Sequence, residues 1–443
     1  MTAALRDRLN RAAQAAAPEV SGHVTGALGL RMTIEGIGGR VGDLVRVGEG
    51  DRAMLAEVTA LDGDKLQCLP LGQLTGIGSG SPAVNTGAPL QVPVGEVLRG
   101  RILDGLGRPM DGLGPLVGAE YVGVDAAPPQ ALARQRIKDP ITLGVRALDT
   151  LVPMGRGQRM GIFAGSGVGK STLMSMITRG TDAQINVIAL VGERGREVRE
   201  FIENDLGPEG LARSVVIVAT SDQAPLVRLR AAFVATRIAE WFRDAGGDVL
   251  LMMDSVTRTA MAQREVGLSV GEPPATRGYP PSVFAMLATL MERAGPGENG
   301  TITGLYTVLV EGDDHNEPIA DSARSILDGH IVLDRKLATA GHFPSIEPLD
   351  SISRLTNTVT SPDQRAKATM LRRLLAAHRD VRELVEIGAY VTGTNADADL
   401  AQALWPQITA FLRQDLDDPT TAAGAWDQLS ALLRAAPIEG STV

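Results

Sequence analysis

The sequence has 443 residues, of which 44% are hydrophobic and 21% are charged, as is typical of a globular protein with ample material for a core. Its formal net charge of −9 argues against a nucleic acid as the main partner, because nucleic-acid binders usually carry a basic footprint. The single cysteine, Cys68, excludes an intrachain disulfide, and no apolar run reaches the roughly 18 residues that a membrane-spanning helix needs.

The N-terminal segment, residues 1–19, is rich in alanine and arginine. Leu5, Leu9, Ala12 and Ala16 recur at helical spacing, so the segment is either a short amphipathic helix or a frayed terminus. It lacks the apolar core of a secretory signal. We therefore expect a cytoplasmic protein that is peripheral to a membrane only through its partners.

Residues 20–92 predict a small β-barrel or β-sandwich domain. Apolar and polar residues tend to alternate in short runs, and glycines recur every several residues between these runs. Cys68 lies within the apolar run Leu66–Leu69, which favours a buried, small hydrophobic side chain over a reactive thiol.

Residues 93–365 predict an α/β domain. After a turn-rich bridge over residues 93–140, apolar strands alternate with helical stretches, which indicates a mostly parallel sheet covered on both faces. The expected strands are Met160–Ala164, Val187–Val191, Val215–Ala219, Val249–Met253, Thr303–Val310 and Ile331–Leu333. The expected helices include Ser171–Arg179, Arg196–Glu203 and Leu226–Ala245.

Residues 366–443 predict a helical C-terminal domain, because apolar residues recur there at helical spacing. One apolar stripe comprises Leu371, Leu374, Leu375, Val381, Leu384 and Val385, and a second comprises Trp405, Ile408, Phe411, Leu412 and Leu416.

A phosphate-binding loop (P-loop) is the strongest chemical signal in the sequence. The run is Ala164-Gly165-Ser166-Gly167-Val168-Gly169-Lys170-Ser171, which fits the P-loop pattern except that alanine replaces its first glycine. The glycines let backbone N–H groups surround phosphates, while Lys170 reaches the β- and γ-phosphates. Ser171 supplies a hydroxyl for Mg²⁺, so the pattern predicts ATP and Mg²⁺ as ligands.

Three further charged residues are candidates for the same site. Asp254 ends an apolar strand, where a Walker B acid holds Mg²⁺. Glu193 follows another apolar strand and is either a water-orienting carboxylate or an acid favoured by a helix N-terminus. Arg354 lies in an ordinary turn, and spacing alone assigns it no role.

Taken together, these stretches resemble the type III secretion ATPases, which are homologues of the catalytic subunit of rotary ATP synthases. The resemblance extends from about residue 20 to residue 415. Its most specific runs are Phe163–Ser171, Gly192–Glu197, Gly278–Phe284, Glu311–Asp314, Ile319–Asp321 and Asp328–Leu333. Within this group the chain looks most like the flagellar export ATPases, and the injectisome ATPases of virulence systems are close alternatives.

The resemblance implies a β-barrel, a RecA-type P-loop core and C-terminal helices, assembled as a homohexamer with ATP at the subunit interfaces. It implies that Glu193 is the general base or water-orienting acid and that Arg354 is an arginine finger for the neighbouring subunit. It also implies that Phe343 stacks on adenine, although a core aromatic is the alternative, and that Thr172 contacts the α-phosphate.

The resemblance further implies ATP-driven protein export. Its expected partners are a stator or regulator protein at the N-terminus, a coiled-coil stalk protein at the C-terminal face, an export gate, and export substrates with their chaperones. The segment before Val20 is short for a docking arm, and the tail after Asp417 departs from the family pattern.

Three other functions compete with this interpretation. A rotary ATPase subunit is disfavoured by Glu311–Asp314 and Asp328–Leu333, which look secretion-type. A hexameric RNA translocase needs a basic groove with aromatic platforms, but the first 120 residues contain no aromatic residue. A nucleotide-bound scaffold without turnover is disfavoured by the intact set of charged site residues.

Overall fold

The computed structural model describes residues 20–50, 53–310 and 317–434. They form two compact units, the first mainly from residues up to Gln91 and the second mainly from Val92 onward. The predicted N-terminal segment and the run Glu311–Asp314 lie outside the described residues. Among the helices that are described, none combines the length and apolar character needed to cross a membrane.

The first unit is a closed, antiparallel barrel of six strands, as the sequence predicts. Their order around the barrel is β1-β2-β5-β4-β3-β6. The strands are β1 (Ser21–Leu28), β2 (Arg31–Glu35), β3 (Asp43–Val47), β4 (Met54–Asp62), β5 (Lys65–Pro70) and β6 (Pro82–Pro89).

The barrel core is aliphatic and contains Cys68. Val24, Met32 and Ile34 alternate toward the interior, whereas Leu28, at the end of β1, is 75% exposed. Cys68 has no exposed surface, and burial raises the pKa of its thiol to about 12. The prediction that Cys68 is a small hydrophobic core residue is confirmed.

The second unit is built on a nine-stranded sheet with the order β19-β18-β12-β17-β15-β13-β14-β8, in which β16 pairs with β17. All pairings are parallel except those of the short strands β16 and β19. The remaining strands are β7 (Gln91–Val94), β8 (Ile102–Asp104), β9 (Glu120–Gly123), β10 (Pro140–Ile141), β11 (Met154–Gly155), β12 (Arg159–Ala164), β13 (Ile185–Val191), β14 (Ser214–Ala219), β15 (Asp248–Asp254), β16 (Gly295–Pro296), β17 (Thr301–Leu309), β18 (Gly329–Leu333) and β19 (Ile352–Ser353).

The central strands are buried on both faces, which explains their continuous apolar sequence. All seven residues of β13 are buried, as in a parallel sheet covered by helices. All six predicted strands form, with ends shifted by one or two residues. The bridge over residues 93–140 holds more structure than its turn-rich sequence indicates, because β8 forms one edge of the main sheet.

Helices cover this sheet and complete the unit. They span Arg146–Leu151, Lys170–Gly180, Gly195–Glu200, Gly207–Ala212, Pro225–Asp244, Val256–Ser269, Pro281–Glu292, Pro318–Ile326, Arg335–Thr339, Thr356–Val359, Pro362–Glu386, Ala396–Leu412 and Ala422–Arg434. The helix expected at Arg196–Glu203 is found at Gly195–Glu200 and continues as one π-helical stretch, Phe201–Leu206.

The last three helices pack on the same core as the sheet. The first of them begins at Pro362, four residues before the predicted start of the helical domain, and Ser361 caps it by accepting from the amide of Gln364. Leu374, Ile408 and Leu429, one from each helix, share one hydrophobic cluster with the nucleotide-binding core.

The two predicted apolar stripes are only partly buried. In the first, Leu384 and Val385 are 45% and 40% exposed. They lie in the last turn of the helix. In the second, Trp405 is 36% exposed and stacks on His378 with 3.5 Å between ring centroids.

Candidate active site

The P-loop connects β12 to the helix Lys170–Gly180, as the sequence predicts. Gly167 and Gly169 have φ angles of 75° and 90°, a backbone conformation that glycine adopts without steric cost. The loop lies at the carboxyl edge of a parallel sheet, and the amides of the following helix point toward it. This combination is a binding site for phosphate.

Two side chains hold the P-loop from outside. Ser345, which is 1% exposed, donates its hydroxyl to the carbonyl oxygen of Val168 at 2.5 Å. Arg335 donates to the carbonyl oxygen of Ser166 at 3.1 Å. Because these contacts engage carbonyl oxygens, the amides of the loop stay available for an anion. The sequence analysis missed both residues, which are more than 160 positions from the loop and carry no motif of their own.

Three predicted residues meet beside the loop. The ammonium of Lys170 lies 2.5 Å from Oδ1 of Asp254 and 3.4 Å from Oε1 of Glu193. Lys170 follows β12, Glu193 follows β13 and Asp254 ends β15, all strands of one parallel sheet, so the sheet brings their side chains to one edge. Gly165, Ser166, Gly167, Val168 and Gly169 line the same corner as the loop itself.

The two carboxylates keep Lys170 charged. Burial opposes the charged form of the ammonium, but the attraction of Asp254 and Glu193 outweighs it and raises the pKa of Lys170 above its ordinary value. The site therefore presents a permanent cation to an incoming phosphate.

Thr307 is a further member of the site that the sequence analysis missed. Its hydroxyl donates to Oδ1 of Asp254 at 2.7 Å. Thr307 lies on β17, next to the strand that carries Asp254. A threonine among the aliphatic and aromatic residues of the run Leu305–Leu309 was the signal available in the sequence. The contact fixes the orientation of a carboxylate that is only 4% exposed.

The loop that carries Glu193 is packed tightly at its base. A side chain on Gly192 would approach Cβ of Arg258 to 2.8 Å, so only glycine fits against this arginine. The carbonyl oxygen of Glu193 accepts from the amide of Ser221 at 3.0 Å. Backbone contacts thus hold the Glu193 loop, and its carboxylate faces Lys170.

The donor atoms at this corner fit Mg²⁺. Ser171 and Asp254 offer a hydroxyl and a carboxylate, the hard oxygen ligands that Mg²⁺ prefers. Within the described ranges, no cluster of three or more His, Cys, Asp or Glu side chains could hold a metal alone. That is the pattern of Mg²⁺ sites completed by phosphate oxygens and water.

Phe343 lies against the P-loop. A side-chain carbon on Gly169 would be 3.1 Å from Cε1 of this ring. The ring is 41% exposed, so the alternative of a core aromatic is wrong. Thr172 is half-buried in the first turn of the helix that follows the loop.

Arg354 lies at the opposite edge of the sheet from the P-loop. Its amide donates to the carbonyl oxygen of Asp328 at 3.0 Å, and the amide of Asp328 donates to Arg159, the first residue of β12. The P-loop follows the last residue of that strand, Ala164. Five residues of strand span about 17 Å, more than an extended arginine side chain can reach. The structure therefore separates Arg354 from the other predicted site residues of its own chain.

Comparison with known proteins agrees with this geometry. Residues 144–353 match the ATP synthase alpha/beta family, nucleotide-binding domain, and residues 360–431 match the T3SS EscN ATPase C-terminal domain. A flagellum-specific ATP synthase of Bacillus subtilis is 50% identical over 401 residues, which cover 90% of this chain and 92% of the relative. A type 3 secretion system ATPase of Xanthomonas euvesicatoria is 48% identical, covering 93% of each chain.

A solved structure has the same fold. It is the assembled ATPase EscN in complex with its central stalk EscO, from the type III secretion system of enteropathogenic E. coli. The match has a TM-score of 0.87 at 43% identity and covers 93% of this chain and 100% of that one.

Proposed function

This chain belongs to the type III secretion ATPases, whose nucleotide-binding domain is of the ATP synthase alpha/beta family, and we propose that it works as a Mg²⁺-dependent homohexameric motor for flagellar protein export. Its substrate is ATP, and its activity is hydrolysis of ATP to ADP and phosphate. The observation that carries the proposal is the meeting of Lys170, Glu193 and Asp254 beside the P-loop.

Each residue at this corner has a distinct proposed task. Lys170 exchanges its contact with Asp254 for the β- and γ-phosphates when ATP binds, while the amides of the P-loop surround the phosphates and Thr172 contacts the α-phosphate. Ser171 and Asp254 would hold Mg²⁺, which neutralises phosphate charge when bound. Thr307 keeps the Asp254 carboxylate in position for this role.

Glu193 acts on the attacking water. Its carboxylate orients the water and accepts a proton as the water oxygen bonds to the γ-phosphorus and the bond from phosphorus to the β-γ bridging oxygen breaks. The proton then leaves with phosphate or to solvent. Phe343, exposed beside Gly169, stacks on the adenine base.

Arg354 serves the site of a neighbouring subunit. About 17 Å of strand separate it from its own P-loop, which supports a role at a γ-phosphate across an interface. Since Glu193 and Arg354 belong to one chain, a ring of identical subunits has a complete site at every interface. The assembled state of the similar ATPase EscN supports this proposal.

The export role follows from the same relatives. Flagellar service is supported by the 50% identical flagellum-specific ATP synthase, and the 48% identical secretion ATPase of Xanthomonas makes injectisome service the second candidate. Rescue of motility in a flagellated host, rather than rescue of effector secretion, distinguishes the first from the second.

The proposed partners follow from the export role. They are a stalk protein at the C-terminal face, as EscO is for EscN, a stator or regulator at the N-terminus, the export gate, and substrates with their chaperones. These partners would place the chain at the cytoplasmic face of the cell membrane.

The first test is ATPase rate against protein concentration for the wild type and for Arg354→Ala. We expect specific activity to rise with concentration as rings form. The variant should bind ATP but lose about three orders of magnitude in rate, as arginine-finger removal does elsewhere. A rate independent of concentration and untouched by the substitution would disprove the interface site and leave a self-contained ATPase.

A further inference from the structure

The segment between the last two helices of the C-terminal part lies close to the nucleotide site. Gln414 follows the helix Ala396–Leu412 and is 6% exposed. Its main-chain amide donates to the main-chain carbonyl oxygen of Phe343 at 3.0 Å. The ring of Phe343 in turn contacts Gly169. A main-chain contact therefore joins the helical part to the aromatic residue beside the P-loop.

The side chain of Gln414 is fully engaged. Its Oε1 accepts from the amide of Arg146 at 2.9 Å. Its Nε2 donates to the carbonyl oxygens of Gly144 and Asp418 at 2.8 and 2.6 Å. These bonds tie residue 414 to the start of the helix Arg146–Leu151. A buried amide with all these partners is held in one position, because each lost bond would leave an unsatisfied polar group.

Arg146 reinforces the same attachment. Its Nε donates to the carbonyl oxygen of Phe411 at 3.0 Å, and its Nη1 contacts Oδ2 of Asp418 at 2.7 Å. The chain is thus fixed on both sides of Gln414. Phe343, by contrast, is 41% exposed.

We propose that Gln414 is a positioning residue that fixes the main chain of Phe343 and thereby sets the affinity of the site for the base of the nucleotide. This inference rests on the proposed function, in which Phe343 stacks on adenine. Stacking depends on ring geometry, so a shifted ring loses much of its contribution. The phosphates are held by different groups, the P-loop amides and Lys170.

This division makes base recognition and phosphate binding separable by experiment. Tripolyphosphate carries the phosphates of ATP without a base, so it reports on the P-loop alone. A non-hydrolysable ATP analogue reports on the P-loop and the base contact together. The ratio of the two dissociation constants isolates the part that Gln414 is proposed to control.

The test uses the full-length chain with Mg²⁺ and isothermal titration calorimetry. Gln414→Met removes the three side-chain hydrogen bonds that hold residue 414 in place, at nearly constant volume, and leaves its main-chain bond to Phe343. Gln402→Met is the matched control, because the same change there removes an amide whose nitrogen has no hydrogen-bond partner. We expect Gln414→Met to weaken analogue binding about three- to tenfold, the contribution of one aromatic stack. Tripolyphosphate binding and the control should stay within about twofold of wild type, and KM for ATP should rise more than kcat falls.

Other results would overturn the inference. Equal weakening of both ligands would mean that Gln414 supports the whole fold, and unchanged binding of both would mean that it has no role at the site. Wild-type protein that favours the analogue no more than tripolyphosphate would refute the stacking role of Phe343, and this inference with it, while leaving hydrolysis intact. If Gln414→Met does not fold, Gln414→Glu is measured instead. It keeps the acceptor for Arg146 but sets a carboxylate against the two carbonyl oxygens, so the same selective loss is expected.

Discussion

Two of the buried ion-pair clusters in the second unit differ in how many of their hydrogen-bonding groups remain free for a ligand. At the P-loop, Lys170 makes one short contact with Asp254 and one long contact with Glu193. In the second cluster, Glu240 lies in the helix Pro225–Asp244 and Arg293 follows the helix Pro281–Glu292. Both side chains are 1% exposed. They form two parallel bonds of 2.7 Å, and both Nη atoms of Arg293 also donate to the carbonyl oxygen of Val124 at 3.2 Å.

Burial and charge alone therefore do not make a catalytic site. In the Arg293–Glu240 pair, the guanidinium donates to both carboxylate oxygens and to the carbonyl oxygen of Val124. Both side chains are buried, so they are not accessible to a ligand. The cluster at Lys170 opens onto glycine-rich loops whose amides are available for an anion. The functional cluster differs from the structural one because it lies beside free main-chain amides at the carboxyl edge of a parallel sheet.

Removing the cation of the functional cluster should have the greatest effect on activity. Lys170→Ala removes the cation that would contact the transferred phosphate, and we expect kcat/KM for ATP to fall by at least about a thousandfold. The melting temperature should fall moderately, because the buried Asp254 carboxylate loses its counter-charge but keeps its hydrogen bond from Thr307. Steady-state kinetics and a thermal melt on the same sample check both statements. Substantial residual turnover would remove Lys170 from the proposed mechanism.

The structural cluster should respond in the opposite way. Glu240→Gln leaves a buried guanidinium without its full counter-charge, and we expect the free energy of unfolding to fall by about 3–5 kcal/mol. ATP turnover per folded molecule should stay near the wild-type value. Denaturant unfolding followed by ATPase assays on folded protein measures the two quantities.

A double replacement sharpens this test. Glu240→Leu with Arg293→Met removes both charges together, and stability should recover most of the loss, since apolar side chains of similar volume often replace buried pairs at little cost. A double variant that folds normally but cannot hydrolyse ATP would show that the Arg293–Glu240 pair also serves catalysis.

The smallest effect is expected at the edge of the functional cluster. Thr307→Val keeps the shape of the side chain but removes the hydroxyl that orients Asp254. We expect roughly a threefold to tenfold loss of activity, on the order of one hydrogen bond to a charged group. The apparent affinity for Mg²⁺ in ATPase assays should fall in proportion. Thr303→Val is the matched control on the same strand, because the Thr303 hydroxyl accepts from the amide of Gly157 and does not contact Asp254.

Local patterns in the sequence predict most of this architecture. Continuous apolar runs locate the parallel strands because those strands are buried on both faces, and glycines around Lys170 locate the P-loop because the conformation there demands them. The carboxyl-edge positions of Asp254 and Glu193 follow from strand ends alone. For these features, residues near in sequence determine the outcome.

Contacts between segments that are distant in the sequence could not be predicted from local patterns. Ser345 and Arg335 hold P-loop carbonyl oxygens from far along the chain, and β8 joins the main sheet from a stretch dense in turn residues. Leu384 and Val385 continue a helical apolar pattern but are 45% and 40% exposed. Each of these features depends on which segments meet in three dimensions, which periodicity does not encode.

The buried cysteine of the barrel has a practical consequence. Cys68 is the only thiol in the chain, it has no exposed surface, and its pKa of about 12 leaves very little thiolate at neutral pH. A cysteine introduced at an exposed position would therefore react with a maleimide dye far faster than the native one. Fluorescent reporters could then be attached to single chosen sites, and motions during turnover followed by energy transfer, with the natural sequence otherwise unchanged.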